Sequence, residues 1–283
     1  MRTAQTLGFD DIRFAHAKDT VWHSLPLMPN MLMQNASCIA VLFKAYRPSA
    51  AAPDGLMALS AYYAASHFAY HAAKAFTAYL CGLGFGALHT SRLPAKAAAL
   101  RTGGWLGDNG FYYHPTLGSL VCIQTVLIEG FLPDPPSESA NLCLHCGACR
   151  RACPFGGVGC LERCVRRHSD ALIPEDLRIG IYQLFGCELC QAACPLNPQQ
   201  KGSPVSFSVD GLLTGQHTAA LQKTAGALMA RPRRIVSQAA LFAANTKQQQ
   251  FAPLIFNCAQ NADEPVRTHA LWAYQKLMQG AQT

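Results

Sequence analysis

Two cysteine-rich runs contain the residues of this sequence whose types and spacing point most directly to chemistry. The first run, LCLHCGACRRACP (142–154), has a proline directly after its fourth cysteine; its cysteines are Cys143, Cys146, Cys149 and Cys153. The second run, GCELCQAACPLN (186–197), has only three cysteines. Thiolates are soft ligands that bind tetrahedral zinc or iron–sulfur clusters in proteins. The two runs therefore predict a metal centre, and an odd number of thiols leaves one ligand to be found.

The spacing of the first run favours iron–sulfur clusters over zinc. Paired C-x2-C knuckles alone would suit either kind of centre. The run C-x2-C-x2-C-x3-C-P, however, is typical of bacterial two-cluster ferredoxins, in which the fourth cysteine binds the other cluster. On this pattern Cys153 crosses to a second [4Fe–4S] cluster, named cluster B, while the first is named cluster A and is bound by Cys143, Cys146 and Cys149.

The second run is expected to give one of its cysteines to cluster A, as the first run gives Cys153 to cluster B. Cys194, the cysteine before its proline, completes cluster A, and Cys187 and Cys190 bind cluster B. Cluster B then needs one more ligand, and spacing leaves the choice between Cys160 and Cys164 open. Two clusters that share ligands in this way suit stepwise electron transfer better than a structural role. The alternative is that these cysteines bind zinc in place of iron–sulfur clusters.

The composition is that of a globular protein from a reducing compartment. Half of the 283 residues are apolar and 14% are charged, which allows a large core and argues against disorder. Nine of the thirteen cysteines lie between Cys143 and Cys194, and we interpret the other four as small buried side chains. We expect no disulfide framework, no signal peptide and no membrane-spanning stretch. The sequence therefore predicts a cytoplasmic protein.

The cysteines lie in the middle of an expected α+β protein. Strand-like runs at 38–43 and 120–128 and a helical stretch at 55–84 precede them, which predicts an α/β or α+β domain. A proline-rich link at 132–139 then excludes a continuous helix. The predicted order is an α/β corrinoid/substrate domain, a ferredoxin-like module for two clusters and a helical domain, at 1–135, 136–200 and 201–283.

The third section contains an internal repeat and most of the excess positive charge. An offset of 30 residues aligns 236–243 with 266–273, which predicts two helical hairpins of HEAT type; chance similarity of two amphipathic helices is the alternative. Residues 195–283 hold eight Lys and Arg against three Asp and Glu, and RPRR (231–234) begins a predicted helix. Such a surface could bind nucleic acid phosphates, and an ordinary solvated helix surface is the other interpretation.

Several stretches together resemble the epoxyqueuosine reductases, a family of cobalamin- and iron–sulfur-dependent enzymes that perform the last step of queuosine synthesis on tRNA and are related to the reductive dehalogenases. The resemblance is strongest over 142–197 and extends more weakly to AQTLGFDDIRFAHA (4–17), AYH (69–71), GGWLGDNG (103–110) and PTLGSLVCIQTVL (115–127). The family has a cysteine 27 positions before the first cysteine of the second run. Counting back from Cys187, the resemblance implies Cys160 as the fourth ligand of cluster B and leaves Cys164 unligated.

The resemblance also implies a corrinoid site before the cysteines. Its residues come from the AYH, Gly-rich and Gly-Ser stretches and are Tyr70, His71, Gly104, Trp105, Gly107, Asn109, Gly118 and Ser119. Together with Gly103, the glycines of the Gly-rich stretch would let the backbone approach a large macrocycle, although an ordinary tight turn would also need them.

Three positions depart from the family pattern. Ala69 replaces the aspartate of the family's Asp-Tyr-His signature, and Asp108 replaces the lysine of its Gly-Trp-x-Gly-Lys-Asn segment. The family's catalytic aspartate, a proton donor, aligns with His89. Histidine can donate a proton near neutral pH, so His89 is the candidate acid. A structural loop histidine, or an alignment that slips by one residue, is the alternative.

The sequence thus supports three functions. The first is a corrinoid-dependent reductase acting on epoxyqueuosine in tRNA, and the second is a related reductase with a different, smaller substrate. The third is a non-catalytic two-cluster electron carrier. Electrons would come from an external flavodoxin or ferredoxin-like donor, and the basic C-terminal helices would contact tRNA. We expect no membrane partner and a monomeric protein.

Overall fold

The computed structural model describes residues 2–18, 28–131, 140–156, 160–167 and 172–280. The described strands are β1 (Asp11–His16), β2 (Ala36–Ala45), β3 (Leu56–Ala58), β4 (Ala87–His89), β5 (Trp105–Leu106), β6 (Tyr112–Tyr113), β7 (Val121–Glu129) and β8 (Ser206–Ser208). The described helices are α1 (Arg2–Thr6), α2 (Pro29–Leu32), α3 (Ala61–Gly82), α4 (Ala95–Leu100), α5 (Ala148–Arg151), α6 (Leu161–Arg167), α7 (Glu175–Arg178), α8 (Leu189–Ala192), α9 (Val209–Leu213), α10 (Thr218–Ala225), α11 (Pro232–Asn245), α12 (Ala252–Asn261) and α13 (Val266–Gly280). The link predicted at 132–139 lies outside the described residues.

The described chain divides into two compact units. The first contains the residues up to Tyr46 together with Ala65–Gly147 and Cys194–Pro198. The second contains Arg47–Ala64, Ala148–Ala193 and the residues from Gln199 onward. Each unit is assembled from stretches that are distant in the sequence. The domain boundaries predicted along the chain, at 135 and 200, stay a prediction.

A four-stranded sheet in the order β1-β2-β7-β4 forms the first unit. Its two central strands, β2 and β7, contain the apolar runs from which strands are predicted, and their register runs from Ala36↔Glu129 to Ala45↔Val121. Residues 38–43 are completely buried, as expected for a central strand. Each pairing in this sheet is antiparallel. The section predicted as α/β or α+β is therefore a mixture of helices and strands with an antiparallel sheet, since alternating elements do not by themselves fix strand direction.

The stretch predicted as a helix at 55–84 forms a short strand followed by a long helix. Its first residues form β3, which pairs with β8 in the second unit, and Ala61–Gly82 form α3. In the first unit α3 buries a stripe with the spacing i, i+3, i+4, i+7, which is typical of a helix with one apolar face; the stripe is Ala69, Ala72, Ala73 and Phe76. Among the described residues no helix is both long and apolar enough to cross a membrane.

One apolar core runs through the second unit. It joins residues near the cysteines to residues of the C-terminal helices, including Leu161, Leu184, Phe185, Leu212, Leu241, Ile255, Ala270 and Leu277. The cysteine-bearing segments Ala148–Ala193 are therefore supported by packing against helices that come much later in the chain.

Helices α11 and α13 carry the two copies of the predicted repeat, and they pack against each other. The equivalent residues Ala240 and Ala270 are both fully buried, as the repeat predicts. The next pair differs, because Leu241 is buried whereas Leu271 is 46% exposed. The predicted helices are confirmed, and a HEAT-type repeat stays a prediction.

Candidate functional site

Four of the predicted ligands lie near one another in the second unit. Cys153 follows α5, Cys160 directly precedes α6, and Cys187 and Cys190 lie just before and within α8. Burial raises the pKa of the Cys187 thiol to about 11 and that of Cys190 to about 12. In both cases the negative charge of the Cys160 and Cys153 thiolates raises the pKa further. The four thiols are therefore within electrostatic reach of one another.

The chemistry of this donor set fits a metal centre. Thiols with raised pKa values ionise only when a cation compensates their charge, and a coordinating thiol is deprotonated outright by its metal. Four thiolates are the ligand set of a [4Fe–4S] cluster and also of structural zinc. The residues present thus fit the cluster that the spacing predicts.

Cys164 lies one turn further along α6 than Cys160 and has different surroundings. Burial raises its pKa, and the charges of Asp176 and Cys160 add to the effect. Its side chain packs against the apolar core of the second unit. Cys160 is among the charges that raise the pKa values of Cys187 and Cys190, and the choice of Cys160 as the ligand stays a prediction.

A buried carboxylate anchors the second cysteine run. Glu188 Oε1 accepts hydrogen bonds from Ser60 Oγ at 2.8 Å and from the Tyr62 backbone N at 3.2 Å, and its Oε2 accepts one from the Ser49 backbone N at 3.4 Å. Burial raises the pKa of Glu188, and these hydrogen bonds oppose that rise. A buried carboxylate is costly unless it is hydrogen-bonded. The donors therefore hold Glu188, and with it the turn that carries the cysteines, in one position.

The predicted ligands of cluster A fall into both units. Cys143, Cys146 and Cys194 belong to the first unit and Cys149 to the second. Cys149 lies in α5, which packs against α8, and its thiolate also raises the pKa of Cys190. The assignment of these four residues to one cluster stays a prediction.

In the first unit the Gly-rich stretch forms a small hairpin of β5 and β6 that packs on itself. The rings of Trp105 and Tyr113 stack with centroids 5.8 Å apart. A Cβ atom at Gly104 would collide with the backbone oxygen of Tyr113 and the ring of Tyr112, and one at Gly107 would lie 2.5 Å from the Tyr113 ring. The hairpin itself therefore requires these two glycines. This agrees with the second interpretation of the sequence, in which the glycines serve a tight turn and not the approach of a macrocycle.

The indole N–H of Trp105 is a buried hydrogen-bond donor in this hairpin. Nε1 is buried, and the described residues offer it no hydrogen-bond acceptor. Buried donors in folded proteins are nearly always paired with protein or with ordered water. A corrinoid carries amide side chains whose oxygens could accept a hydrogen bond from Trp105 Nε1. The hairpin residues therefore fit this cofactor.

Tyr113 is a residue of this site that the sequence did not single out. Its hydroxyl accepts a hydrogen bond from Asn109 Nδ2 at 3.0 Å and is hydrogen-bonded to Ser119 and Cys194. Burial raises the pKa of Tyr113, and the hydrogen bond to Cys194 raises it further. One hydroxyl thus joins two predicted corrinoid residues to a predicted cluster ligand. The sequence shows only two adjacent tyrosines, so no signal distinguishes Tyr113 from Tyr112.

Gly118 and Ser119 are held by Asn197, a residue three positions after Cys194. Its Oδ1 accepts a hydrogen bond from the Ser119 backbone N at 2.7 Å, and its Nδ2 donates to Ser119 Oγ at 2.8 Å. Gly118 has a φ of 71°, and a Cβ there would collide with Asn197 Oδ1. Asn197 was also missed from the sequence, although it lies in the stretch with the strongest resemblance.

His89 lies on β4 with Tyr70 beside it. Its Nε2 donates to Gln124 Oε1 at 2.9 Å, and the Tyr70 ring meets it edge-on with centroids 5.1 Å apart. His71 contacts Tyr70 in the same manner at 5.4 Å, and the His67 ring at 4.6 Å. The structure therefore brings the predicted acid close to two of the predicted corrinoid residues, and it places His89 at the end of a strand rather than within a loop.

Asp108 and Cys143 both lie close to His145, which stands between the predicted ligands Cys143 and Cys146 in the sequence. The Nδ1 atom of His145 lies 2.9 Å from Asp108 Oδ1, and the potential ligand atoms of Asp108, Cys143 and His145 all lie within 4.8 Å of one another. The Gly-rich turn and the first cysteine run are thus in direct contact within the first unit.

The basic RPRR segment at the start of α11 is less available to phosphates than the sequence predicts. Arg234 is buried, with 5% of its surface exposed, and its Nη1 donates to the Met229 backbone oxygen at 3.2 Å. Arg233 is exposed and lies 3.4 Å from the carboxylate of Asp263. The expectation that Arg234 contacts phosphates is wrong, because this side chain completes local packing. Arg231 and Arg233 remain candidates.

Comparison with known proteins gives matches in sequence. No family model matches the chain. The chain is similar to an epoxyqueuosine reductase of Synechococcus sp. strain RCC307, with 34% identity over 122 residues that cover 40% of this chain and 38% of the relative. It is also similar to an epoxyqueuosine reductase of Listeria monocytogenes, with 29% identity over 213 residues that cover 66% of this chain and 55% of the relative. The chain thus matches about half, or less, of the length of these relatives.

The fold is shared over a longer range. A crystal structure of an epoxyqueuosine reductase with a tRNA-Tyr epoxyqueuosine-modified stem loop superposes with a TM-score of 0.78 at 21% identity, covering 98% of this chain and 88% of that chain. The fold is a mixture of helices and strands, and it carries a group of four thiols that fits a metal centre. The chain is thus similar to epoxyqueuosine reductases in part of its sequence, and it shares their fold.

Proposed function

We propose that this chain is an iron–sulfur and corrinoid-dependent reductase that converts epoxyqueuosine in tRNA to queuosine. The observation that carries the proposal is the grouping of Cys153, Cys160, Cys187 and Cys190 in a chain related to the epoxyqueuosine reductases. Electrons from such a centre go either to a cofactor or to a docked partner, and the sequence before the cysteines resembles the corrinoid region of that family.

Two [4Fe–4S] clusters are proposed to deliver the electrons in a ferredoxin-like module. The four grouped thiols bind cluster B, and cluster A is bound by Cys143, Cys146, Cys149 and Cys194. An external flavodoxin or ferredoxin-like protein supplies the electrons. The buried Glu188 holds the second cysteine run rigidly, which keeps structural rearrangement on reduction small.

The corrinoid is proposed to bind at the residues that the structure places in two groups of the first unit. Tyr70 and His71 form one group with His89, while Trp105, Asn109 and Ser119 surround Tyr113. When bound, a corrinoid supplies a strongly reducing metal centre for cleavage of a carbon–oxygen bond. The protein binds and orients this group, excludes water and supplies a proton.

His89 is proposed to be the proton donor. Because its Nε2 donates to the Gln124 amide oxygen, the proton transferred to the substrate is the one that Nδ1 carries in the imidazolium form of the ring. The Tyr70 ring limits the positions that the imidazole can take. Loss of the epoxide oxygen as water takes two electrons and two protons, and a positioned histidine can supply one of these protons.

The substrate is proposed to be the modified tRNA itself, met in the cytoplasm by a monomeric protein. A relative with the same fold was solved with an epoxyqueuosine-modified tRNA stem loop. In this chain the exposed cations of the helical section, such as Lys223 and Lys247, supply positive charge. Binding that depends on phosphate contacts weakens steeply with salt.

The test is complementation of bacterial cells that lack their own epoxyqueuosine reductase, scored as queuosine against epoxyqueuosine in their tRNA. Conversion by the wild-type chain and loss of conversion in His89→Ala, with unchanged iron content, is the expected result. Anaerobically purified protein should contain about eight irons, as two clusters require. Persistent epoxide with fully loaded protein would favour a reductase of a different, smaller substrate. Failure to retain added cobalamin would favour an electron carrier.

A further inference from the structure

We infer that Gln124 is a positioning residue, which fixes the ring of His89 through a hydrogen bond and so sets which imidazole nitrogen gives its proton to the substrate. The inference rests on the proposed function, in which His89 is the proton donor. It deepens that function, because it assigns the orientation of the donor to a residue on the neighbouring strand. Both residues belong to the first unit.

The register of the sheet places the two side chains next to each other. β4 pairs with β7 so that His89 lies opposite Val126. Gln124 lies two residues before Val126, and side chains two positions apart in a strand point to the same face. Gln124 is therefore the diagonal neighbour of His89, at a separation of about 7–8 Å that a long side chain can span. Its Oε1 atom lies 2.9 Å from His89 Nε2.

The position of Gln124 gives its amide a need for this partner. The neighbouring residues on the same face of β7, Cys122, Val126 and Ile128, are buried and apolar. An amide group among apolar side chains is costly unless it is hydrogen-bonded, and the Nε2–H group of His89 supplies a hydrogen bond to it. The pair therefore stabilises the amide while it orients the imidazole.

The imidazole is also held by its own backbone and by an aromatic ring. The residue after His89 is fixed to β7, because the Thr90 backbone N donates to the Thr125 backbone oxygen at 3.4 Å and Thr125 Oγ1 donates to the Thr90 backbone oxygen at 3.1 Å. The Tyr70 ring meets the imidazole edge-on, with centroids 5.1 Å apart. Rotation of the imidazole would therefore disrupt both this ring contact and the hydrogen bond to the amide.

The hydrogen bond suits the form of the ring that follows proton transfer. A carbonyl oxygen only accepts hydrogen bonds, so Gln124 Oε1 favours a proton on Nε2. When the imidazolium gives its Nδ1 proton to the substrate, the neutral ring keeps the Nε2 proton that Gln124 already binds. The epoxide oxygen leaves as water with this proton, a second proton from solvent and two electrons from the reduced protein. Because the ring is already oriented, the transfer needs no reorientation of the imidazole.

Nuclear magnetic resonance of the full, anaerobically purified chain with isotope-labelled histidine tests the hydrogen bond itself. The signals of His89 are those that disappear in His89→Ala. At a pH where the ring is neutral, we expect a proton bound to Nε2 of His89 that exchanges slowly enough with water to be observed. Gln124→Leu should lose this signal, and Gln124→Glu, which keeps an acceptor, should retain it. A proton on Nδ1 in place of Nε2 in the wild-type chain would overturn the inference.

Single-turnover kinetics test what the hydrogen bond does. The reduced, cobalamin-loaded chain is mixed with an epoxyqueuosine-modified tRNA stem loop, which gives the rate constant and the substrate affinity separately. We expect Gln124→Leu to lower the rate constant by about tenfold, a part of the roughly 10²–10⁴-fold effect of a general acid, with unchanged affinity. Gln124→Glu should lose less. Gln5→Leu, the same change at an exposed position of α1, is the matched control and should have the wild-type rate.

A double variant shows whether Gln124 acts through His89. In a His89→Ala background, Gln124→Leu should cause no further fall in the rate constant, because the group that Gln124 positions is already absent. A further fall would overturn the inference, since Gln124 would then act on another group. Should Gln124→Leu lose its fold or its cofactors, Gln124→Asn replaces it, because an amide one methylene shorter should also fail to hold the Nε2 proton.

The possible results separate this inference from the proposed function. An unchanged rate constant in Gln124→Leu, with conversion by the wild-type chain, would overturn the inference and leave the proposed function standing. If the fully loaded wild-type chain converted no epoxyqueuosine, the proposed function would fail, and the role of the pair in that reaction would fail with it. The signal of the Nε2 proton would still decide whether Gln124 positions the ring.

Discussion

His145 and Asp108 form a hydrogen-bonded pair, with Nδ1 of the imidazole 2.9 Å from a carboxylate oxygen. His145 has a φ of 48°, in the left-handed region that is uncommon for a residue with a side chain. A lysine at 108, as in the family that the sequence resembles, could not accept this hydrogen bond. The acidic residue at 108 therefore comes with a specific partner, and the pair holds the loop of the first cysteine run in an unusual conformation.

Replacement of Asp108 by lysine should weaken the cluster whose ligands flank His145. The loop that carries Cys143 and Cys146 would lose its attachment to the Gly-rich turn, so we expect less iron to be retained after desalting. The free energy of unfolding should change by less than about 1 kcal/mol, because exposed ion pairs contribute little. Iron per chain and urea unfolding measure the two effects. Asp54→Lys makes the same charge change at an exposed site, and equal iron in both variants would contradict the prediction.

Cys160 and Cys164 should differ sharply when each is replaced by serine. Cys160 acts electrostatically on both Cys187 and Cys190, the two predicted ligands of the second run. We expect Cys160→Ser to lose or alter one cluster, with iron falling toward about half, and Cys164→Ser to keep both. Iron and sulfide analysis with electron paramagnetic resonance distinguishes them. The opposite pattern would make Cys164 the ligand and Cys160 the spare thiol.

The sequence predicts those features of the fold and site that depend on local patterns. Continuous apolar runs predict β2 and β7 because a buried central strand needs apolar residues on both faces. Cysteine spacing predicts that Cys153 and Cys187 lie near each other, because shared clusters impose that geometry. A resemblance was needed to choose between Cys160 and Cys164, since both lie at plausible spacing.

The remaining features depend on contacts between residues far apart in the chain. Adjacent residues of a strand point to opposite faces, so the sequence cannot show that Tyr113, and not Tyr112, meets Cys194. From the sequence alone Glu188 would be taken for a charged surface residue, because its hydrogen-bond donor Ser60 is 128 positions away in the chain. Strand direction does not show in the sequence either, which is why the pattern predicts an α/β or α+β domain without deciding between parallel and antiparallel strands.

Enlargement of Ala270 should destabilise the helical core. Ala270 is fully buried in the core that α11 and α13 share, whereas its neighbour Leu271 is largely exposed. Extra methylene groups in a packed core cost about 1–3 kcal/mol, so we expect Ala270→Leu to lower the free energy of unfolding by that amount. Leu271→Ala, the control on the exposed face, should change it by less than about 0.5 kcal/mol. Urea denaturation measures both, and equal effects would contradict the observed packing.

His269 should make the second unit lose stability as the pH falls. Burial, aided by the charge of Arg178, lowers the pKa of His269 from 6.5 to about 4, and its Nε2 accepts a hydrogen bond from the Ile173 backbone N at 2.9 Å. Below pH 6.5 the unfolded chain binds a proton that the folded chain does not bind, so stability is fully present above pH 6.5 and decreases toward pH 4.

Between pH 6.5 and pH 5 the loss should amount to about 2 kcal/mol. Urea unfolding of the second unit, followed by far-ultraviolet circular dichroism at several pH values, measures this slope. His269→Gln keeps an acceptor for the Ile173 N–H but has no proton to bind, so its unfolding free energy should be less dependent on pH by the same amount. Parallel pH curves for the wild-type chain and His269→Gln would show that the buried imidazole is not the group responsible.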